Sequence, residues 1–259
     1  MKRLFFVFAL AMAVFSAAIA LPRIVAHRGF WKQEGSAQNS LSSLLNADRA
    51  GCYGSEFDVS ITKDGVCVVN HDADIEGIEI ESANYSDIKD KKLCNGETLP
   101  TLQRYLLAGL ALGNGAKMVL EIKPHKAKEN EDRCVAEVVR LVNELVMQDR
   151  VDYISFSMNV CERLSEAVPE ANIAYLRSDM SPAEVRKHGI NGIDYYGPAL
   201  LQHPEWIEEA HSLGMNVNVW TINLDEEISR FARLGVDYIT TDHPDRAMSL
   251  VGSASCEEQ

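Results

Sequence analysis

Two carboxylates alternate along one short stretch of the chain. Glu56 and Asp58 stand on either side of Phe57 in an apolar segment that begins at Gly54. Successive side chains of a β-strand point to opposite faces, so the two carboxylates would project together. Like charges raise each other's pKa unless a cation neutralises them, and carboxylate oxygens suit hard divalent ions such as Ca²⁺ or Mg²⁺. The segment therefore predicts a divalent-cation site, although a solvated strand end gives the same pattern.

A histidine follows this pair after one tight turn. Lys63-Asp64-Gly65 predicts the turn, and the run from Val66 to Val69 predicts a second apolar strand that leads to His71-Asp72. If the two strands pair, His71 comes to lie beside the carboxylates. Imidazole changes charge near neutral pH and is suited to proton transfer.

Four more ionisable residues occur at the ends of other predicted strands. His27 and Arg28 follow the apolar segment Ile24 to Ala26, and the period of two places Glu121 and Lys123 on one face of a later strand. Together with the first segment and His71, these residues make seven ionisable groups at the ends of the first three strands. Their convergence predicts a site for a cation and an anion.

The elements that would position these groups alternate regularly. Eight short apolar segments predict strands at 24–26, 54–59, 117–122, 151–155, 172–175, 192–195, 215–219 and 238–240. Helix-like segments lie between them at 39–50, 101–112, 129–147, 159–167 and 204–212, with capping-box starts at Ser181-Pro182-Ala183-Glu184 and Asn223-Leu224-Asp225-Glu226. Eight strands, each followed by a helix, favour an α/β fold of the (β/α)8 TIM-like barrel type, with a doubly wound open sheet as the alternative.

One segment breaks the alternation. Residues Asp72 to Leu99 are polar and rich in turn formers, and they predict a small insertion after strand 2. The active site of a barrel lies among the loops at the carboxyl ends of its strands, so the insertion is expected to shape or cover that site. The length from 21 to 259 suits a single barrel domain.

The first 20 residues predict a secretory signal peptide. Lys2 and Arg3 precede an apolar run from Leu4 to Ala20 that ends in Ala-Ile-Ala. Export is expected, to the periplasm or outside the cell. A retained membrane anchor is the alternative, but the run is shorter than the roughly 20 strongly apolar residues that a spanning helix needs. No stable membrane insertion is expected once the signal peptide is removed.

The charge excludes some partners, and the cysteines leave their state open. The formal charge is −13, and loss of Lys2 and Arg3 would make it −15. Nucleic acids and anionic membranes attract clustered Lys and Arg, so neither is expected as the main partner. The six cysteines are Cys52, Cys67, Cys94, Cys134, Cys161 and Cys256. Disulfides and buried free thiols both fit this number, and we predict no pair. The oligomeric state is also left open.

The chain resembles the glycerophosphodiester phosphodiesterase family. The resemblance rests on motifs that follow in family order: Ala26-His27-Arg28-Gly29, Asn39-Ser40-Leu41, Glu56-Phe57-Asp58-Val59, Thr62-Lys63-Asp64-Gly65, His71-Asp72, Leu99-Pro100-Thr101-Leu102, Glu121-Ile122-Lys123, Val219-Trp220-Thr221-Ile222-Asn223 and Gly235-Val236-Asp237-Tyr238-Ile239-Thr240-Thr241-Asp242-His243-Pro244. It implies a TIM-like barrel with a small insertion after strand 2, and hydrolysis of glycerophosphodiesters to glycerol phosphate and an alcohol.

The resemblance also implies roles for individual residues. The divalent-metal ligands would be Glu56, Asp58 and Glu121, the general acid and base His27 and His71 in either order, and the substrate-binding residues Arg28, Lys123 and Trp220. The two cations would neutralise phosphoryl oxygens, and Trp220 would pack on the glycerol or the alcohol.

Two further residues, Gln38 and Asp242, are expected to act outside these three groups. Gln38 stands where the family usually has Glu, and this predicts an altered environment around the site rather than lost catalysis. Asp242 is expected to fix a loop. The remaining histidines are expected to be structural or exposed.

Two other functions stay open. A related barrel with paired histidines could act on phosphoinositide or sphingomyelin-type lipids, which an extended apolar rim would favour. An exported module could instead bind phosphodiesters without cleaving them. Two proton carriers, His27 and His71, argue against a pure binder.

Overall fold

The structure is a computed structural model that describes residues 20–257, with side chains to residue 253. Its strands are β1 (Arg23–Ala26), β2 (Gly54–Ile61), β3 (Cys67–Val69), β4 (Asp74–Ile75), β5 (Ile78–Glu79), β6 (Lys117–Ile122), β7 (Val151–Ser155), β8 (Ile173–Tyr175), β9 (Gly192–Tyr196), β10 (Asn216–Trp220) and β11 (Tyr238–Thr241). Its helices are α1 (Leu41–Ala50), α2 (Tyr85–Ile88), α3 (Leu102–Leu110), α4 (Lys128–Glu144), α5 (Met158–Ala167), α6 (Pro182–Arg186), α7 (Gly197–Gln202), α8 (Glu205–Ser212), α9 (Asp225–Leu234) and α10 (Pro244–Glu257). Short 3₁₀ turns lie at Ile80–Ser82 and Gln148–Arg150.

Within residues 20–257, eight parallel strands form a closed barrel. They follow the order β1, β2, β6, β7, β8, β9, β10 and β11, and β11 pairs back with β1. This closure confirms the predicted (β/α)8 barrel and excludes the open sheet. All eight predicted barrel strands are present, with ends within two residues of the predicted ones.

The main core lies between the barrel and its helices. Phe57 of β2 points outward and packs on Tyr105 of α3, with ring centroids 4.5 Å apart. Leu120 and Ile122 of β6 are buried in the same core. Because residues on this face alternate with those that point into the barrel, the apolar layer leaves the intervening polar residues at the barrel interior.

Of the two predicted capping boxes, one is present in the structure and the other is not. Ser181 caps α6 with the expected reciprocal bonds to Glu184. The box at Asn223 was wrong, because α9 begins at Asp225 after Leu224, whose side chain makes no capping bond. The Asn223 side chain instead donates to the carboxylate of Asp242.

The segment from Asp72 to Leu99 forms a small unit at the end of β3. It contains the β4–β5 hairpin, one 3₁₀ turn and α2. Its own apolar cluster is formed by Val68, Ile75, Ile80, Ala83, Ile88 and Leu99. The unit is held to the end of β2, where the backbone N–H of Lys63 donates to the carbonyl of Ala83. The predicted insertion therefore lies beside the carboxyl end of β2.

The predicted signal peptide lies outside the described residues, apart from Ala20. Export to the periplasm or beyond stays a prediction. In the part of the chain from residue 20 to 257, no helix has both the length and the apolar character to cross a membrane.

One carboxyl group in the barrel interior is expected to make stability depend on pH. Asp194 is fully buried, its Oδ1 has no hydrogen-bond partner, and burial raises its pKa from 3.8 to about 8. The folded protein then keeps a proton that the unfolded chain loses above its own lower pKa, so stability falls as pH rises from about 4 to about 8. Asp194→Asn is expected to melt at a higher temperature than the parent at pH 8.

The measurement is thermal unfolding of Asp194→Asn and the parent at pH 4, 6 and 8. The difference between their melting temperatures should be small at pH 4 and grow with pH. A difference that stays the same at all three pH values would mean that Asp194 does not hold its proton in the folded barrel.

Candidate active site

Three carboxylates meet inside the carboxyl end of the barrel. Glu56 and Asp58 project from β2 into the interior, and Asp58 lies in register with Glu121 on the neighbouring β6. One carboxylate oxygen from each residue lies within 4.8 Å of the others. All three residues are buried. The strand period and the β2–β6 pairing thus bring together the three predicted metal ligands.

Two cations accompany the three carboxylates. Lys123 Nζ lies 3.1 Å from Asp58 Oδ1 and 2.9 Å from Glu121 Oε1. Arg28 Nε lies 3.7 Å from Asp58 Oδ2. The backbone N–H of Arg28 also donates to Glu56 Oε2 over 2.7 Å. Arg28 has a left-handed φ of 54°, and this turn directs its amide toward the cluster.

The surroundings shift the pKa values of the three carboxyl groups in different directions. Burial, followed by the charge of Asp58, raises the pKa of Glu121 to about 8. Burial and the two neighbouring carboxylates raise the pKa of Glu56 well above its ordinary value. Burial also opposes ionisation of Asp58, but Lys123, His71 and Asn39 lower its pKa to about 2.

The residues present fit a hard divalent cation. Glu121 Oε1 is buried and lies 2.9 Å from Lys123 Nζ. The raised pKa values of Glu56 and Glu121 mean that the two protein cations do not keep all three carboxyl groups ionised, whereas a divalent ion would. An oxygen-only donor set of this kind suits Mg²⁺ or Ca²⁺.

The residues after β1 hold this cluster from one side. Asn39 donates from Nδ2 to Asp58 Oδ2 over 2.8 Å, and its Oδ1 accepts the backbone N–H of Asp58. Gln38 Oε1 accepts from Arg28 Nη1 over 2.7 Å. The amide of Gln38 therefore holds the Arg28 guanidinium without adding a negative charge, whereas a Glu would add one.

His27 lies at the end of β1 and is held by Asp242. Its Nδ1 lies 2.8 Å from Asp242 Oδ1. Asp242 also accepts hydrogen bonds from Trp31 Nε1 and Asn223 Nδ2. These bonds, with that of His27 the largest, outweigh burial and lower the pKa of Asp242 to about 2. We predicted only that Asp242 fixes a loop. In the structure it also orients a candidate catalytic histidine.

A signal for this contact was present in the sequence. Asp242 follows the last predicted strand and His27 follows the first, and a closed barrel makes these strands neighbours. The backbone N–H of His27 donates to the carbonyl of Thr241 across this closure. The closure therefore places the two side chains together.

His71 approaches the cluster from the edge of β2 that also pairs with β1. It lies beyond β3, which pairs antiparallel with the end of β2. Its Nδ1 lies 2.8 Å from Asp72 Oδ1. Burial lowers the pKa of His71, while the nearby charge of Asp58 opposes this change. His71 is therefore mainly neutral at pH 7 in the protein alone.

A cleft opens beside His71 and Lys123. Its empty space is about 430 Å³, and it lies between the barrel end and the insertion. Its lining residues are Ser60, His71, Ala73, Glu79, Ile80, Glu81, Lys123, Pro124, His125 and Lys126. The cleft borders the carboxylate cluster through Lys123, which contacts Asp58 and Glu121.

Trp220 ends β10 and packs within a group of aromatic rings. Its ring centroid lies 5.5 Å from that of Phe156 and 5.5 Å from that of Tyr196. Lys123 Nζ lies 6.0 Å from the Phe156 ring. Trp220 thus belongs to an aromatic group that reaches the site through Phe156.

The other histidines have partners outside the carboxylate cluster, although His125 lines the same cleft as His71. His188, His203 and His211 each pair with one carboxylate, and His243 contacts Lys32. His125 Nε2 accepts the backbone N–H of Ile61.

Comparison with known proteins gives a consistent result. A model of the glycerophosphoryl diester phosphodiesterase family matches residues 27–246. A crystal structure of a glycerophosphodiester phosphodiesterase from Parabacteroides distasonis has a TM-score of 0.89 and 40% identity, over 90% of this chain and 98% of that one. A curated glycerophosphodiester phosphodiesterase from Caldanaerobacter subterraneus is 25% identical over 88% of this chain and 97% of its own length.

A third likeness concerns the fold alone. An Oleispira antarctica phosphodiesterase, solved in complex with its product sn-glycerol-3-phosphate, has a TM-score of 0.77 and 22% identity. It covers 90% of this chain and 97% of its own.

Proposed function

The chain belongs to the glycerophosphoryl diester phosphodiesterase family and is a phosphoric diester hydrolase, and on this basis we propose a metal-dependent reaction with two catalytic histidines. The products would be glycerol phosphate and an alcohol. The glycerol phosphate bound to the Oleispira relative supports this choice of product.

The observation that carries the proposal is the buried carboxylate cluster with its flanking cations. Glu56, Asp58 and Glu121 would hold the divalent ion. When bound, such an ion supplies positive charge that stabilises the developing charge on phosphoryl oxygens. Arg28 and Lys123 add to this stabilisation, because both lie at the edge of the cluster with part of their side chains exposed.

The two histidines would move the protons. In each of them Nδ1 faces a carboxylate, Asp242 for His27 and Asp72 for His71. This contact fixes the tautomer and leaves Nε2 for the substrate. One histidine would take the proton of the attacking hydroxyl, and the other would donate a proton to the departing alcohol.

The alternatives have weaker support. Of the large apolar residues that are exposed within residues 20–253, two lie at the carboxyl end of the barrel: Tyr196 (51%) ends β9, and Leu224 (58%) follows β10. Two separate side chains do not make the extended apolar rim expected for a phosphoinositide or sphingomyelin-type lipid substrate. A binding module would need neither His27 nor His71.

The direct test is turnover of a panel of glycerophosphodiesters by the purified protein. Substrates that share the glycerol phosphate and differ in the alcohol should release glycerol phosphate when Mg²⁺ or Ca²⁺ is added, and much less of it when no divalent ion is added. Stoichiometric binding of the diesters without release of product would favour the binding module, and turnover of lipid substrates alone would favour the lipid alternative.

Removal of the metal is expected to abolish turnover, and a divalent ion should restore it. The reason is that the site without a divalent ion lacks the positive charge that would ionise Glu56 and Glu121 and stabilise the phosphoryl oxygens. Glu121→Gln should weaken Mg²⁺ or Ca²⁺ binding by about tenfold or more, measured by calorimetry. Asp194→Asn is the matched control, since it changes a buried barrel carboxylate outside the cluster. Full activity after chelation would remove the metal from the mechanism.

A further inference from the structure

Two cysteine side chains touch in the core beside the active site. Cys67 lies at the start of β3 and Cys134 lies in α4, and their Sγ atoms are 3.9 Å apart. Both residues are buried. Cys161 is equally buried in the same core, but its Sγ contacts the carbonyl oxygens of Ser155 and Ala174.

The surroundings hold these two thiols close to each other. Cys67 is fixed by pairing with Ile61 of β2. Helix α4 packs on β2, β3 and β6, so Cys134 cannot move far from the strand. A disulfide has an S–S distance of about 2.05 Å. The two sulfurs, 3.9 Å apart, must therefore approach each other by about 1.9 Å for the bond to form.

We propose that Cys67 and Cys134 form a disulfide that joins β3 to α4 when the chain folds in oxidising surroundings. The two thiols lose two protons and two electrons as the S–S bond forms. The acceptor is a second disulfide, either oxidised glutathione or a protein of the thiol–disulfide oxidoreductase class, which is reduced to two thiols. Such surroundings are those of an exported protein.

The bond forms during folding rather than afterwards. Contact with Cys134, together with burial, raises the pKa of Cys67 well above its ordinary value, so little thiolate exists in the folded protein. Burial also keeps an external disulfide away from both sulfurs. The exchange must therefore take place before α4 covers β3.

The cross-link would stabilise the part of the barrel that carries the active site. The closed loop from residue 67 to residue 134 contains His71, the insertion and all of β6 with Glu121. A disulfide stabilises chiefly by restricting the unfolded chain, and the effect grows with loop length. The proposal does not depend on the hydrolase activity.

The test compares the full chain refolded in a reduced and oxidised glutathione buffer with the chain refolded in a strong reductant. After denaturation and alkylation of free thiols, non-reducing proteolysis and mass spectrometry should find one linked peptide pair that contains Cys67 and Cys134. The oxidised protein should melt about 10 °C above the reduced one, as expected for a loop of this length.

Single variants keep the test specific. Cys67→Ala and Cys134→Ala should each lose the effect of reductant on the melting temperature, whereas Cys161→Ala should keep it. If an alanine variant does not fold, the search for the linked peptide in the unsubstituted chain tests the proposal without it. Alkylation of both Cys67 and Cys134 after oxidative refolding, or a link from either one to another cysteine, would overturn the proposal.

Discussion

Replacing His27 or His71 by alanine is expected to lower turnover of a glycerophosphodiester by roughly 10²-fold or more, the usual loss for a general acid or base. The melting temperature should change little. The His27 and His71 side chains are 20% and 38% exposed, and each has one charged partner, so neither contributes much apolar burial. Steady-state kinetics and thermal unfolding of the same preparations provide the measurement.

His188→Ala is the matched control for His71→Ala. His188 Nδ1 lies 2.8 Å from Glu162 Oε1, the same distance as that between His71 and Asp72, and its side chain is 36% exposed. Its loss should leave turnover unchanged, because His188 lies away from the carboxylate cluster. A His27 or His71 variant that melts at a much lower temperature but keeps its activity would show that the histidine is structural.

The strands and the carboxylate cluster were predictable from the sequence because both follow from the period of two. Buried parallel strands appear as short apolar runs, and alternate polar residues such as Glu56, Asp58 and Glu121 then fall on the inner face. The order of the strands in a barrel makes β2 and β6 neighbours, and their register then places Glu121 beside Asp58. These features are local, and a local pattern is enough to find them.

The features that escaped prediction depend on contacts between distant parts of the chain. Asp242 orients His27 across the closure of the barrel, and Cys67 meets Cys134 only when α4 packs on β3. Asn223 has the sequence of a helix cap, but its side chain bonds to Asp242 instead. Tertiary contacts thus overrode a local preference.

The secondary structure and the apolar core of the insertion could not be predicted from the sequence either. Strands β4 and β5 have two residues each, which is too short for alternation to be recognised. Its apolar residues, such as Ile75 and Ile88, are spaced irregularly and form a core together with Val68 of β3.

A substrate in which only the hydroxyl next to the esterified glycerol carbon is replaced by hydrogen is expected to lose turnover almost completely. This hydroxyl lies within the substrate itself and near the phosphorus, so its effective concentration far exceeds that of an external nucleophile. One of His27 and His71 would take its proton while the other protonates the departing alcohol. The result is a cyclic phosphate, which water opens in a second step. We expect kcat to fall by about 10³-fold or more while KM changes little.

The control is a substrate that lacks the distal glycerol hydroxyl and keeps the neighbouring one. It should still be turned over, because the cyclic route remains open, and any loss should appear mainly in KM. Direct attack by water makes a different prediction, since neither hydroxyl would then be the nucleophile and the two deoxy substrates would be hydrolysed at comparable rates. With the unmodified substrate, rapid quenching should also trap the cyclic phosphate before glycerol phosphate appears. Comparable turnover of the two deoxy substrates would therefore assign to His27 or His71 the activation of water rather than of the substrate hydroxyl.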